Sequence, residues 1–329
     1  MTFFKSAAYA LLLTSAFATS IATSAHAASS EIDRPECVAP AKPGGGFDLT
    51  CRVAQAGLQP QLGKPLQVTF MPGGIGAVAM NLFNTTRSDD PNAIVAFSSG
   101  SLLNLAIGKF GQWTEKDVRF VGTAGADFGV VAVRADSPFK SLDDVMKAFQ
   151  ANPQGVVVGA GGSVGSQDWM KGALLFKAVN LDPRKMRYVA FDGGGDAIAG
   201  LLGGSIQVYL GDAGEMTAHM GDGTMRILAV MSENRLPEPF AEIPTAMEQG
   251  YDAEWTILRG FYMGKNVSDE AYNAWVAAFE AAYKDPVFLQ TQKDKGLLPL
   301  NMAGDRLTQS INERVTKMRQ IARDAGLIQ

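Results

Sequence analysis

The stretch ECVAPAKPGGGFDLTCRVAQAGL, Glu36–Leu58, reads as a short strand, a glycine run that holds no regular structure, and then a helix. Gly44, Gly45 and Gly46 lack a Cβ, so their backbone can take positive φ and approach a ligand closely. Asp48 stands where a helix N-cap is expected, just before the apolar spacing Leu49, Val53 and Ala56. A glycine loop feeding a helix N-terminus presents unpaired N–H groups and the positive end of the helix dipole, a combination suited to an anion. An ordinary βα turn has the same wording in isolation, so the rest of the chain has to decide.

The same punctuation recurs. Leu66–Phe70 alternates as a strand and runs into Pro72-Gly73-Gly74-Ile75-Gly76 before a helical run from Ala77 to Phe83. Ile94–Phe97 ends in Ser98-Ser99-Gly100-Ser101, and Val156–Val158 precedes the glycine loop Gly159–Gly165, after which Ser166 caps a helix. Met186–Phe191 leads into Asp192-Gly193-Gly194-Gly195-Asp196 and a helix through Leu202, and Ile206–Leu210 leads into Gly211-Asp212-Ala213-Gly214. Phe120–Thr123, Val130–Val133 and Arg226–Met231 are further strands, and Ser141 with Asp144 predicts a capping box. The last third reads as mostly helical, with helices over Ser268–Tyr283 and Arg306–Ala325. Strands alternating with helices predict an α/β protein with mostly parallel sheets. In such sheets ligands bind beyond the strand C-termini. The loops at 43–48, 72–76, 98–101, 161–166 and 192–196 therefore predict two lobes closing on one anion.

The ends and the composition narrow the setting. Lys5, the apolar run Ala7–Ala18 and Ala25-His26-Ala27 form an export signal, with cleavage expected after Ala27. The remaining chain carries 28 basic and 33 acidic residues, a net charge of −5, which argues against nucleic acid as a partner. Its length suggests roughly two domains. Cys37 and Cys51 are the only cysteines, and export places them where pairing is expected. Metal ligation is the competing reading, poorly supported because His219 is the sole histidine left after cleavage.

The motifs together resemble those of the tripartite tricarboxylate transporter receptors, the Bug-type periplasmic binding proteins. APAKPGGGFDLTCR at Ala39–Arg52, MPGGIGAVAMNLF at Met71–Phe83, VVVGAGGSVGSQDWMKGALLF at Val156–Phe176, YVAFDGGGDAIAGLLGGSIQVYLGD at Tyr188–Asp212 and MRILAVMSENRLPEPFAEIPTAMEQGY at Met225–Tyr251 carry the resemblance. It implies a type II periplasmic binding protein with a ligand cleft between two hinged lobes. Lobe I is expected to comprise 28–128 plus 238–329 and lobe II 129–237, with crossings near Ala126–Val133 and Leu236–Pro244. The resemblance further implies a monomeric periplasmic receptor that delivers a carboxylate to membrane permease subunits. Its wording is closest to the tricarboxylate-binding branch, so citrate or a related acid is the expected ligand. In that family the carboxylate is held by backbone amides, hydroxyls and water, without an obligatory arginine. Gly45, Gly46 and Phe47 would supply amides, with Asp48 capping the helix and touching a water. Ser98 and Ser99 would offer hydroxyls from the same lobe, and Ser163, Gly165, Ser166, Asp192 and Gly194 would face them. No cofactor or metal is expected.

Two other readings share these residues. Gly161-Gly162-Ser163-Val164-Gly165 fits the G-x-S-x-G elbow of serine hydrolases, with Asp212 and His219 following in the matching order. Those two lie in one glycine-rich segment rather than on separate strand ends, so no enzyme is expected. Gly159-x-Gly161-x-x-x-Gly165 has one residue too many for a dinucleotide fingerprint, and no Gly-Lys-Ser/Thr is present for a phosphate loop. A sensor that hands the closed lobes to a two-component kinase would use the same binding chemistry.

Overall fold

The computed structural model describes residues 32–324 and residue 328; the export segment and its cleavage site lie outside the described residues. Two half-sheets share one long strand. In the first, β1 (Glu36–Ala39) pairs in parallel with β2 (Gln67–Phe70) and β3 (Ala93–Ser98), and β9 (Thr256–Gly264) runs antiparallel between β3 and β4 (Val118–Arg134). In the second, the C-terminal half of β4 pairs antiparallel with β7 (Val208–Tyr209) and β8 (Met225–Met231). There β5 (Val157–Gly161) lies in parallel between β6 (Arg187–Phe191) and β7. The change of partner on β4 is sharp: Phe128 is the last residue opposite β9, and Gly129 the first opposite β8.

Helices cover both faces of each half-sheet, which is why the strands read as near-continuous apolar runs. On β3, Ile94 and Ala96 pack beneath α1 (Gly46–Gly57), α8 (Asp269–Ala282) and α9 (Pro286–Asp294), while Val95 and Phe97 face α2 (Ala77–Leu82), α3 (Ser99–Ala106) and α10 (Gly304–Asp324). On β4, Val131 and Val133 pack with α4 (Leu142–Ala151) and α5 (Gln167–Ala178), and Val130 and Ala132 with α6 (Gly194–Leu202) and α7 (Ala213–Met216). Side chains two apart on a strand share a face, so each of these short runs seeds two cores. Cys37 and Cys51, both fully buried, form a disulfide that ties β1 to the first turns of α1 across the glycine loop. A closed loop of this size, about 15 residues, contributes ~3 kcal/mol in the chain-entropy model.

Three features differ from the sequence reading. The strands expected at Phe120–Thr123 and Val130–Val133 are the two ends of β4, continuous through Ala124-Gly125-Ala126-Asp127. Gly122 and Gly125 sit beside register shifts there, and Asp127 is buried, so neither alternation nor polarity marks the middle as strand. The strand β9 lies in a region whose sequence reads as mostly helical. Lastly, Leu236 and Phe240 pack with α6 and α7, and Ala246 and Ala253 with α4 and α5. The segment Leu236–Pro244 thus lies on the second half-sheet, and the chain returns later, where Trp255 donates to the Met231 carbonyl and accepts from the Gly129 amide (2.8 and 2.9 Å).

Candidate functional site

Four helices start at one cavity of about 50 Å³ between the half-sheets. Their N-cap residues, Gly45 of α1, Ser98 of α3, Ser166 of α5 and Gly193 of α6, all line it. Two helices come from each half of the molecule. The Ser98 hydroxyl accepts the Gly100 N–H (3.2 Å), and the Ser166 hydroxyl accepts from Trp169 and donates to the Gly161 carbonyl (3.3 and 3.2 Å). Gly45 and Gly193 have no side chain to cap α1 and α6, which leaves the first amides of both helices to the cavity.

The two bare helix starts also touch each other. A Cβ added to Gly45 would lie 3.0 Å from the Gly195 nitrogen and 3.1 Å from that of Gly194, and one added to Gly195 would strike the Pro43 carbonyl. The halves therefore meet backbone to backbone. Around this contact Lys42 pairs with Asp196 (2.9 Å), and Lys109 reaches across to the Val164 carbonyl (3.1 Å). The halves are closed on one another, and a ligand larger than a few water molecules needs them to part before it can enter.

Of the residues singled out from sequence, Gly45, Gly46, Phe47, Ser98, Ser166 and Gly194 line the cavity. The others do not. Asp48 is not the N-cap: the helix starts two residues earlier, after Gly45, and the Asp48 carboxylate accepts from the Gly44 amide (2.8 Å) and Arg52 (3.0 Å). Ser99 is buried with its hydroxyl accepting the Leu258 N–H (2.9 Å). Ser163 and Gly165 stand at the cleft edge near the Lys109 ammonium, and Asp192 is exposed beside Lys42. The arrangement a hydrolase would need is not assembled, because His219 faces Asp222 (3.3 Å), Ser163 faces Lys109, and Asp212 is held by two cations.

The floor of the cavity is charged, which the sequence did not reveal. Arg259 on β9, 1% exposed, donates from Nε to Asp127 (2.7 Å) and from Nη2 to Asp212 (2.5 Å). Lys171, fully buried, pairs with Asp168 (2.7 Å) and with Asp212, and donates to the Gly211 carbonyl (2.8 Å). Glu215 accepts from the Tyr209 hydroxyl and the Asp212 amide through one oxygen, Oε2. Asp168, Asp212, Glu215 and Arg259 all line the cavity. Burial pushes the Asp127 and Asp168 carboxyls up despite Arg259 and Lys171; for Asp212 the burial cost is outweighed by those two cations, and its carboxyl is held down.

Burial, and then the Asp212 charge, push Glu215 from its ordinary 4.5 up to about 8. The folded protein thus keeps a proton that the unfolded chain loses once the pH exceeds that ordinary value. Unfolding then releases a proton, so this group's effect is that stability declines as pH rises between 4.5 and about 8 and levels off beyond. Glu215→Gln should flatten the decline in unfolding curves recorded from about pH 5 to about pH 9. An unchanged slope would assign the proton elsewhere.

Among the described residues no helix is long and apolar enough to cross a membrane. Comparison with known proteins matches residues 50–327 to the family described as the tripartite tricarboxylate transporter family receptor. Protein BugT of Bordetella pertussis is 28% identical over 225 residues, 66% of this chain and 65% of its own length. A UPF0065 protein of Cupriavidus necator is 24% identical over 286 residues, 86% of this chain and 85% of its own. Among solved structures, the periplasmic binding protein BugD superposes with a TM-score of 0.79 at 20% identity, covering 90% of this chain and 99% of its own. MatC from Rhodopseudomonas palustris with bound malate gives 0.75 at 20% identity, covering 88% and 98%.

Proposed function

The chain belongs to the tripartite tricarboxylate transporter receptor family, a family of periplasmic solute-binding proteins, and from that premise we propose that it captures a small carboxylate in the cavity between its halves and delivers it to the membrane subunits of such a transporter. Export with cleavage after Ala27 belongs to the same proposal. The observation that supports it is the convergence of four helix N-termini, two from each half, on one cavity. Each terminus contributes roughly 0.3–1 kcal/mol to an anion, up to ~2 when partly buried. Amide hydrogen bonds to a charged group add ~1.5–3 kcal/mol each. A micromolar ligand needs ~8 kcal/mol, which no single loop supplies and which four together reach.

Gly46, Phe47 and Gly194 are the proposed amide donors, and Ser98 the proposed hydroxyl. The lobes are proposed to divide at the paired crossings Phe128–Gly129 and Trp255–Thr256, so that 129–255 moves as one body. Citrate and related di- and tricarboxylates are the first ligands to try. A thermal-shift screen tests the class: a carboxylate at 100 times its Kd should add ~2.7 kcal/mol of stability. Stabilisation by neutral sugars with none by any carboxylate would reject the proposal.

A further inference from the structure

The cavity has two chemical poles. One is rich in donors: Nε and Nη2 of Arg259 are taken by Asp127 and Asp212, which leaves Nη1, lying against Gly46 at the start of α1. The other is rich in acceptors. Gln167 is 8% exposed, and its Oε1 is buried without a hydrogen-bond partner. Its Nε2 points to Asp168 Oδ1 (3.4 Å), which fixes the oxygen as the free end. A Cβ added to Gly100 would lie 3.4 Å from that oxygen, so it sits against the first turn of α3, across the gap between the halves. Glu215 Oε1 makes no hydrogen bond, because Oε2 takes both of them and Oε1 lies over Gly194; it becomes an acceptor when Glu215 gives up its proton.

Charge bookkeeping points the same way. With Glu215 holding its proton, Lys171 and Arg259 still face three carboxyls, those of Asp127, Asp168 and Asp212. A ligand's first carboxylate can settle on Arg259 Nη1 and the amides of α1. A second or third would be buried next to Asp168 and Asp212, where like charges in a low dielectric repel strongly. An orphaned buried acceptor costs free energy until a donor reaches it, and an ammonium carries three donors and the missing positive charge.

Resting on the receptor reading above, we infer that the cavity selects a ligand with a protonated amine beside its carboxylate, an amino-acid-type zwitterion, over the amine-free acid of the same carbon skeleton. Gln167 Oε1 and Glu215 Oε1 receive the ammonium, and Arg259 Nη1 with the α1 amides receives the carboxylate. The raised Glu215 carboxyl fits this, since the empty site holds a proton where the ligand would bring positive charge.

Isothermal titration calorimetry with matched pairs tests the choice: L-aspartate against succinate, and L-glutamate against glutarate, with citrate alongside. In at least one pair the amino member should bind about tenfold tighter or more, a difference of ~1.4 kcal/mol. Gln167→Leu and Glu215→Gln should each collapse that ratio, by weakening the amino acid and strengthening the plain diacid. Gln167→Leu removes only an unpartnered oxygen and one long hydrogen bond, so it carries the test should Glu215→Gln fail to fold. Succinate, glutarate or citrate binding as tightly as the amino acids would overturn the zwitterion inference and leave the carboxylate receptor standing. No binding by any acid in the set would overturn both.

Discussion

Replacing Arg259 with methionine lowers stability by ~3–5 kcal/mol, the loss expected when one partner of a buried ion pair is removed and its counter-charges stay behind. Asp127 is fully buried and Asp212 is 5% exposed, and both lean on this guanidinium. Methionine fills much of the volume, so the effect reports charge rather than a cavity. Arg259 also joins β9 to β4 through Asp127 and to the start of α7 through Asp212. Its loss therefore loosens the contact between the halves as well as the floor of the site. A melting point lower by roughly 10 °C is expected. Arg259→Lys keeps the charge but not the fork, and should fall between the two. A methionine variant melting within about 2 °C of the parent would mean that these carboxylates need no counter-charge.

The second large effect concerns closure. Gly195 does not have positive φ, so valine fits its local backbone, and the second half should fold normally. In the closed molecule the added Cβ strikes the Pro43 carbonyl and lies 3.2 Å from the Gly45 nitrogen. Backbone on both sides cannot yield, so the variant is held open and a ligand meets the donors of one half only. Loss of two charge-assisted hydrogen bonds at ~1.5–3 kcal/mol each predicts at least ~100-fold weaker binding of succinate and L-aspartate. The melting point without ligand should change little. Retained affinity in Gly195→Val would show that binding does not need the two glycine loops to meet.

What could be read from the sequence was what is local. Helix starts are set by a few adjacent residues, so Ser141 and Ser166 were recognisable as caps, and each caps its helix in the structure. The glycine loops could likewise be placed at strand ends, and six of the residues chosen from them line the cavity. Asp48 misled because Asp three residues into a helix looks like Asp at its cap. The charged floor was out of reach for a different reason. Arg259 interrupts the apolar run Ile257-Leu258-Gly260-Phe261, and its partners Asp127 and Asp212 lie 132 and 47 residues away. Asp127 in turn hides the middle of β4. Each charge makes its own strand look broken, and only their pairing explains both.

The position of a bound carboxylate is the most direct test of this site. A crystal structure of the protein soaked with the acid that raises its melting point most should place carboxylate oxygens about 2.7–3.1 Å from the Gly46, Phe47 or Gly194 amides, with Arg259 alongside. Ligand density outside this cavity, with the four helix starts filled by side chains or water alone, would contradict it.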